Sequence, residues 1–484
     1  MLRSLEWVAQ ATEGRLIPIA QERMGASEPS IDLSRVVTDS REASVGSSYI
    51  ARIGENSDGH DFARPAVDGG ASLLIVEREL PEISVNQIVV GDATVALGLL
   101  AKAHLTDLRE RTDIKVVGIT GSAGKTTTKD LLGRVLSGFG PTIWPKLSFN
   151  NEVGCPMTIL QADETTRYLV LEMGASAKGE LRYLTEIAPL DVGIVLMVGR
   201  AHLGGFGGSE GLARAKAELV EGILPSGTAV LNLDDDKVAA MSSVAPGTVC
   251  WFSADGAAAA NVWAENIQFD ETGRAKFLAR TDSAASQVHL GLVGRHQVSN
   301  ALAAISAALV LDLDIERVTA LISDLEAGSP HRMDVRVLDL PSDEGVSRVR
   351  LIDDSYNANP DSMKAAFQTA RELAGEGRLL MVLGEMLELG SDSDSIHREV
   401  GEAALSVSPA GLILIGPAEA YVPTKTQEVL VIRAENADRA VDLLRSELRP
   451  GDTILVKGSN GSESWKVADE LVQMNELSSK AEMA

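Results

Sequence analysis

Around Gly118–Lys129, GITGSAGKTTTK, an apolar run (Val116–Thr120) passes through a glycine-rich bend into a helical stretch from Thr126 to about Ser137. Few local patterns constrain a fold more. A strand that turns this sharply into a helix lines up successive backbone N–H groups at the helix N-terminus, a cradle for anionic oxygens. It belongs in a sheet of parallel strands covered by helices. The backbone of Gly121, Ser122, Ala123, Gly124, Lys125, Thr126 and Thr127 would surround a polyphosphate, as in ATP. Lys125 would reach the β- and γ-phosphates, and the Thr126 hydroxyl would ligate Mg²⁺. The strict pattern wants glycine at position 119, where Ile119 stands. A ligand-free turn is the bland alternative. Gly121, Gly124, Lys125 and Thr126 together, between strand and helix, favour the phosphate loop.

Composition narrows the rest. A chain of 484 residues suggests about three domains at roughly 150 residues each. With 45% hydrophobic and 23% charged residues, it has material for more than one core. The net charge of −25 and only 4% aromatics exclude a nonspecific nucleic-acid binder. Any polyanion must be held by backbone donors, individual cations or metal ions. Cys155 and Cys250 are far apart and form no CxxC, so both are expected as buried thiols in a reducing compartment. The segment MLRSLEWVAQATEGRL lacks a secretory pattern, and no apolar stretch of about 18 residues predicts a membrane span. The expected location is cytoplasmic.

The pattern along the chain is α/β. In the first region, Val36–Arg41, Ser48–Ile53 and Ala71–Val76 read as strands and Leu97–Glu110 as a helix. Tyr168–Glu172, Val192–Val198 and Thr228–Asp234 follow as strands and Asn300–Leu311 as a helix. The last region repeats the alternation, with strands at Val349–Asp353, Leu379–Leu383, Leu412–Ile415 and Thr453–Val456. Its helices are expected at Ser362–Leu373 and Ser462–Leu471, and Ala257–Ala260 reads as a loop. The charged LRERTD patch and the Gly328–Ser329–Pro330 break give expected domains 1–111, 112–328 and 329–484.

Polar residues at strand ends supply further candidates. Glu172 closes an apolar strand, where a carboxylate faces the ligand crevice of a parallel sheet and could hold Mg²⁺. It could equally be a solvated strand-end acid. His202 follows the next strand, and no HExxH or cysteine cluster indicates zinc. Lys216 lies fourteen positions further on, in GLARAKAEL, and reads alone as a solvated helical lysine near Glu218. Asp353 and Asp354, beside Asn357 and Asn359, could bind a ribose or an amine, or serve as turn and cap residues. His331 and Arg332 could be simple linker charges.

Taken in order, the segments resemble the Mur ligases of peptidoglycan synthesis. The similarity rests on TDSREASVGSSYIARIGENSDGHDFARPAVDGGA, GITGSAGKTTTK, SFNNEVGCP, LEMGASAKGEL, AHLGGFGGSEGLARAKAEL, GRHQVSNALAA, PHRMDV, DDSYNANPDSMKAA, LGEMLELG and VKGS, and so covers nearly the whole chain. The family's phosphate loop also lacks the first glycine, which accounts for Ile119. The resemblance implies three domains: a mixed α/β UDP-substrate-binding domain, a central P-loop ATPase domain with a mainly parallel sheet, and a Rossmann-like C-terminal domain. It implies that Glu172 and His202 help bind Mg²⁺, with two ions, and that Lys216 is a site of carbamylation and a catalytic residue with Lys125. It implies Asn300, Arg332 and Asp354 near ATP. Asp39, Ser40 and Arg41 would lie at the uridine, and Asn150 and Asn151 at the UDP-substrate phosphates. Asn357, Asn359 and Lys457 would lie on the dipeptide side.

Within the family, SFNNEVGCP and DDSYNANPDSM most resemble the member that joins D-alanyl-D-alanine to UDP-N-acetylmuramoyl-tripeptide. A DNPR motif, frequent in the sister ligase that adds diaminopimelate as third residue, is absent. The implied reaction makes an acyl phosphate from ATP and the tripeptide carboxylate, then an amide. The expected protein is a cytoplasmic monomer that binds no nucleic acid and does not insert into a membrane. Two rival classes stand beside this reading: a regulatory P-loop ATPase, and a ligase-like binding protein without turnover.

Overall fold

The computed structural model describes residues 1–19, 30–54, 57–146, 148–199, 208–326, 328–342, 345–387, 389–422 and 429–482. Three large sheets follow one another along the chain. The first has five strands in the order Arg15–Ile17, Asn86–Val89, Leu73–Val76, Ser48–Ile50, Val36–Val37. All neighbours are parallel except the first pair. The strand expected over Val36–Arg41 stops at Val37 because the Asp39 carboxylate caps a 3₁₀ turn, Ser40–Glu42, by accepting from the Arg41 N–H. Local side-chain capping of this kind competes with the ladder. Ser48–Ile53 likewise forms a strand only to Ile50.

The helix Ala93–Arg111 starts four residues earlier than the apolar spacing indicates, because Asp92 accepts from the Thr94 and Val95 N–H groups. Its Leu97, Leu100 and Leu105 share one core with Leu33 and Ile50 before it and with Ile159 and Leu184 after it. The first sheet is therefore seated on the second region through a continuous apolar contact.

The second sheet carries the phosphate loop. Its nine strands run in the order Ala285–Val293, Arg274–Arg280, Val262–Phe269, Thr248–Ser253, Ile223–Asn232, Leu190–Val195, Lys115–Thr120, Tyr168–Glu172, Thr142–Ile143. Pairing is parallel from Thr142–Ile143 as far as Val262–Phe269, and antiparallel in the last three strands. That terminal meander has no counterpart among the strands read from sequence. Its strands are half-exposed and studded with Lys, Arg, Glu and Gln, so they lack the continuous apolar run of a buried parallel strand. Buried apolar residues of the loop helix Lys125–Ser137 pack against the alanine-rich helix His296–Val310.

The third sheet has six strands, ordered Asp334–Ser342, Gly345–Asp353, Thr453–Lys457, Leu379–Leu383, Gly411–Ile415, Leu430–Ala434. Only the first pair is antiparallel. The helix expected from Ser362 begins at Pro360, capped by Asn359, and the last helix begins at Trp465 after a 3₁₀ turn over Asn460–Ser462. Ala257–Ala260 lies in neither helix nor strand. No helix among the described residues is long and apolar enough to cross a membrane. Both cysteines are free; Cys155 is buried, while Cys250, on the interior strand Thr248–Ser253, packs against the core only partly buried, less than expected.

Candidate active site

The strand Lys115–Thr120 lies inside its sheet, between Leu190–Val195 and Tyr168–Glu172, so its C-terminal end opens into the crevice that parallel α/β sheets use for ligands. Gly124 closes the turn at φ +85°, a left-handed conformation suited to glycine. A Cβ there would also come 2.3 Å from Asn300 Oδ1, so backbone and neighbour both require glycine. Lys125 Nζ donates to the Gly121 carbonyl at 2.8 Å, holding the ammonium over the loop. Ser122 ties the loop to the adjacent strand end: its N–H donates to Met197 O and its Oγ accepts from Gly199 N–H.

Beside the loop, Glu172 is buried. One carboxylate oxygen accepts from Asn150 Nδ2 at 2.8 Å, while the other is buried with no hydrogen-bond partner. An orphaned anionic oxygen of this kind suits a hard cation. Thr126 Oγ1, the hydroxyl expected on Mg²⁺, is 3.0 Å from Ser148 Oγ. The residues present thus fit Mg²⁺. His202 lies outside the described residues. Lys216 is not solvated: it is buried within the helix Ser209–Glu221, and Glu218 is occupied with the N–H groups of Gly179 and Arg182. Burial first, and the charge of Lys125 second, push the Lys216 ammonium down to about 7.

The C-terminal region completes the cavity. Arg332 donates to Ser148 Oγ at 3.1 Å and lies over the Tyr356 ring, 4.2 Å from its centroid. Asp354 accepts from the Met333 N–H and from Lys457 Nζ, the latter at 2.5 Å. Lys457 is buried and also donates to the Asn357 carbonyl. Lys457 thus supports the Asp354–Asn357 turn and lines the same cavity. Asn359 caps its helix in a reciprocal box with Ser362, and its Nδ2 still reaches the Ser122 carbonyl of the phosphate loop at 3.3 Å. Asp353 is taken up by Ser355 and by His331 Nδ1 at 2.7 Å, the turn role that its residue type allows.

These groups surround a cavity of about 300 Å³ that includes the phosphate loop, Asn300, Arg332, Asp354 and Lys457. A second cavity, about 910 Å³, extends toward the first region past Asn150, Asn151, Lys178, Tyr183 and Asp92. A third, about 320 Å³, opens on the C-terminal side against Asn359, Leu387, Leu389 and Ser459. Lys125 and Asn357 line all three. Asp39, Ser40 and Arg41 line none of them; they form an exposed turn in which Arg41 holds the Asp39 carboxyl down at about 2.

Among the polar lining residues that escaped the sequence reading are Ser148, His296, Gln297, Tyr356 and Asp361. Each lies inside a segment already singled out, but serine, glutamine and tyrosine carry no chemistry specific enough to separate them from their neighbours.

Residues 119–308 match the Mur ligase middle domain, and residues 331–460 match the Mur ligase, glutamate ligase domain. The UDP-N-acetylmuramoyl-tripeptide–D-alanyl-D-alanine ligase of Mycobacterium tuberculosis is 37% identical, over 90% of this chain and 91% of the relative. The crystal structure of MurF from Acinetobacter baumannii superposes with a TM-score of 0.84 at 30% identity, covering 98% and 99% of the two chains. MurF ligase from Thermotoga maritima, solved in complex with ADP, gives a TM-score of 0.75 at 27% identity, covering 92% and 99%. With both domains matched in order and similarity running from end to end, the chain belongs to the Mur ligase family.

Proposed function

We infer that the protein is an ATP-dependent amide ligase that joins D-alanyl-D-alanine to UDP-N-acetylmuramoyl-tripeptide in peptidoglycan precursor synthesis. The observation that carries this reading is the meeting of three cavities at Lys125 and Asn357. A ligase of this kind must bring a nucleotide, an acyl donor and an amine to one point. ATP occupies the loop cavity in this assignment. The UDP-linked peptide lies in the larger groove beside Asn150 and Asn151, and the dipeptide enters from the C-terminal side past Asn357 and Asn359. Asp39–Arg41 contact the uridine on the first region's surface. The three regions 1–111, 112–328 and 329–484 act as the UDP-substrate, ATP and closing units.

The physical obstacle is charge. The tripeptide carboxylate must attack the γ-phosphate of ATP, anion against anion, in a protein of net charge −25. Lys125 and the loop N–H groups lower that barrier by concentrating positive potential where negative charge develops. Bound Mg²⁺, two ions in this reading, would neutralise phosphate oxygens. Thr126 and Glu172 would hold it, together with His202 and a carbamate on Lys216. The buried Lys216, near neutral at physiological pH, is suited to carbamylation because the reaction with CO₂ needs the free amine. The dipeptide amine then attacks the acyl phosphate carbonyl, and phosphate leaves. Approach of the C-terminal region would keep water from that intermediate. The protein works as a monomer in the cytoplasm in this reading.

Product mass spectrometry tests the assignment. With ATP, Mg²⁺ and UDP-muramoyl tripeptide, pentapeptide and ADP should form in equal amounts only when D-alanyl-D-alanine is added. Addition of a single amino acid to the dipeptide precursor, without pentapeptide, would assign the sister activity. Phosphate release independent of any peptide would assign a regulatory ATPase.

A further inference from the structure

We propose that Ser148 is a positioning residue that couples the cation-binding hydroxyl of the phosphate loop to Arg332, so that filling the nucleotide site tightens the hold of the C-terminal region on it. The inference rests on the reading that Mg-nucleotide binds at the loop, and adds a residue and a coupling to it.

Ser148 Oγ stands between two groups from different parts of the chain. Thr126 Oγ1, on the first turn of the loop helix, is 3.0 Å away, and Arg332 Nη2 donates to Ser148 at 3.1 Å. Arg332 belongs to the segment that leads into the third sheet, whose first strand begins at Asp334. Its guanidinium rests on the ring of Tyr356, 4.2 Å from the centroid, and its Nε is buried without a partner. Ser148 lines both the nucleotide cavity and the C-terminal one. One hydroxyl thus bridges the loop to the region that must close over it.

Hydrogen-bond accounting gives the bridge a direction. A serine hydroxyl has one hydrogen and two acceptor lone pairs, and arginine can only donate. One lone pair of Ser148 is therefore taken by Arg332. With the cation site empty, the remaining contact to Thr126 can run either way, since each hydroxyl can donate or accept. A cation on Thr126 removes that freedom. The threonine oxygen would then give a lone pair to the metal, leaving its hydrogen for Ser148 to accept. Ser148 now accepts from both sides, and its own hydrogen is released toward the cavity, where phosphate oxygens are the acceptors at hand. With its own hydrogen given to a phosphate oxygen, the Ser148 oxygen becomes the stronger acceptor, and its bond to Arg332, on the Tyr356 ring, tightens. The coupling needs a hydroxyl at position 148, and threonine keeps one.

The test is ADP binding by calorimetry, with Mg²⁺ and with chelator, on the full chain carrying Ser148→Ala, Ser148→Thr, Arg332→Ala, or Ser148→Ala together with Arg332→Ala. Thermal melting checks that each variant is folded, and small-angle scattering reads compaction on adding Mg-ADP. Ser148→Ala should lose about tenfold of the Mg²⁺-dependent gain in affinity, with binding in chelator nearly unchanged. Compaction should shrink with it, and Ser148→Thr should recover most of both. In the Arg332→Ala background, Ser148→Ala should cost less than about threefold, because its partner is already gone. A Mg²⁺ gain and a compaction equal to the parent's in Ser148→Ala would overturn the proposal. So would a full tenfold cost in the absence of Arg332. If the parent itself binds no Mg-ADP, the failure belongs to the nucleotide reading, and the parent control separates the two.

Discussion

In the central region, Lys216 sits in the interior of the helix Ser209–Glu221, 4% exposed, and burial drives its ammonium down to about 7. In the N-terminal region, Asp39 is held at about 2, yet it stands in solvent beside an Arg41 side chain that is 87% exposed. Both groups titrate far from their ordinary values, for opposite reasons. Lys216 is short of solvation. Asp39 has a close partner in water, and a salt bridge there contributes little to folding because solvent screens it. The lesson is that a displaced pKa marks stored energy only where water is excluded. In this protein, Lys216 is in such a place, within electrostatic reach of Lys125 at the crevice where the three cavities meet.

The largest expected effect follows from the centre of that crevice. Lys125→Ala removes the ammonium held over the loop by Gly121 and should lower kcat by about a hundredfold or more. The fold should survive, because little apolar area is lost. Steady-state kinetics beside a melting curve checks both. Near-normal ligation by the folded variant would show that the loop is not the catalytic phosphate site, and the contrast between the two regions would lose its functional meaning.

Lys216 comes next. Lys216→Ala should lose most activity, tenfold or more, and regain part of it when a small carboxylic acid fills the vacated space and supplies the missing anionic oxygen. Lys216→Arg should not recover, since the guanidinium keeps the charge and fills the space. Wild-type rates in both variants would rule out the carbamate.

The amine of Lys216 also makes a stability prediction with a definite sign. Its folded pKa lies below the unfolded value of 10.5, so between about 7 and 10.5 the unfolded chain binds the extra proton. Stability therefore rises with pH across that window, is fully present above it, and is lost as pH falls through about 7. In CO₂-free buffer, the parent should gain on Lys216→Met between pH 7.5 and pH 9, by up to about 1.4 kcal/mol per pH unit. Denaturant titrations at the two pH values measure it. Equal pH slopes would mean that water reaches Lys216, and would erase the distinction from Asp39.

Parts of the fold and of the site are legible in the sequence, and particular residues show why. The phosphate loop was legible because its constraints are local: Gly124 must take φ +85°, and Lys125 and Thr126 follow it directly. Buried parallel strands such as Tyr168–Glu172 and Leu379–Leu383 were legible as apolar runs. The meander Val262–Val293 was not, since one face of each strand meets solvent and its charges mask the alternation. Lys457 shows a different limit. Its segment was noticed, but only tertiary packing places its ammonium 2.5 Å from Asp354, a hundred and three positions away, which makes it a support for the turn. The same holds for Ser148, whose two partners come from an earlier helix and from a later linker.

The smallest expected effect lies at the other pole of the comparison. Arg41→Ala breaks an ion pair with Asp39 at 2.5 Å, a distance that in a buried site would signal a costly loss. Here both partners are hydrated, Arg41 gives up little packing, and the Asp39 carboxylate goes on accepting the Arg41 backbone N–H, which the substitution leaves in place. The 3₁₀ turn Ser40–Glu42 should therefore persist, and Tm should move by less than about 1 °C. Asp39 should rise from about 2 toward its ordinary 3.8, without reaching it, because the backbone donor remains. A carboxyl titration followed by NMR reads that shift directly. If the turn contacts the uridine, the same variant should raise KM for the UDP-linked peptide several-fold while kcat holds, since a remote group binds ground state and transition state alike. A Tm drop of several degrees would show that the exposed pair supports the fold after all. An unchanged KM would remove Arg41 from the substrate site and leave the turn a structural cap.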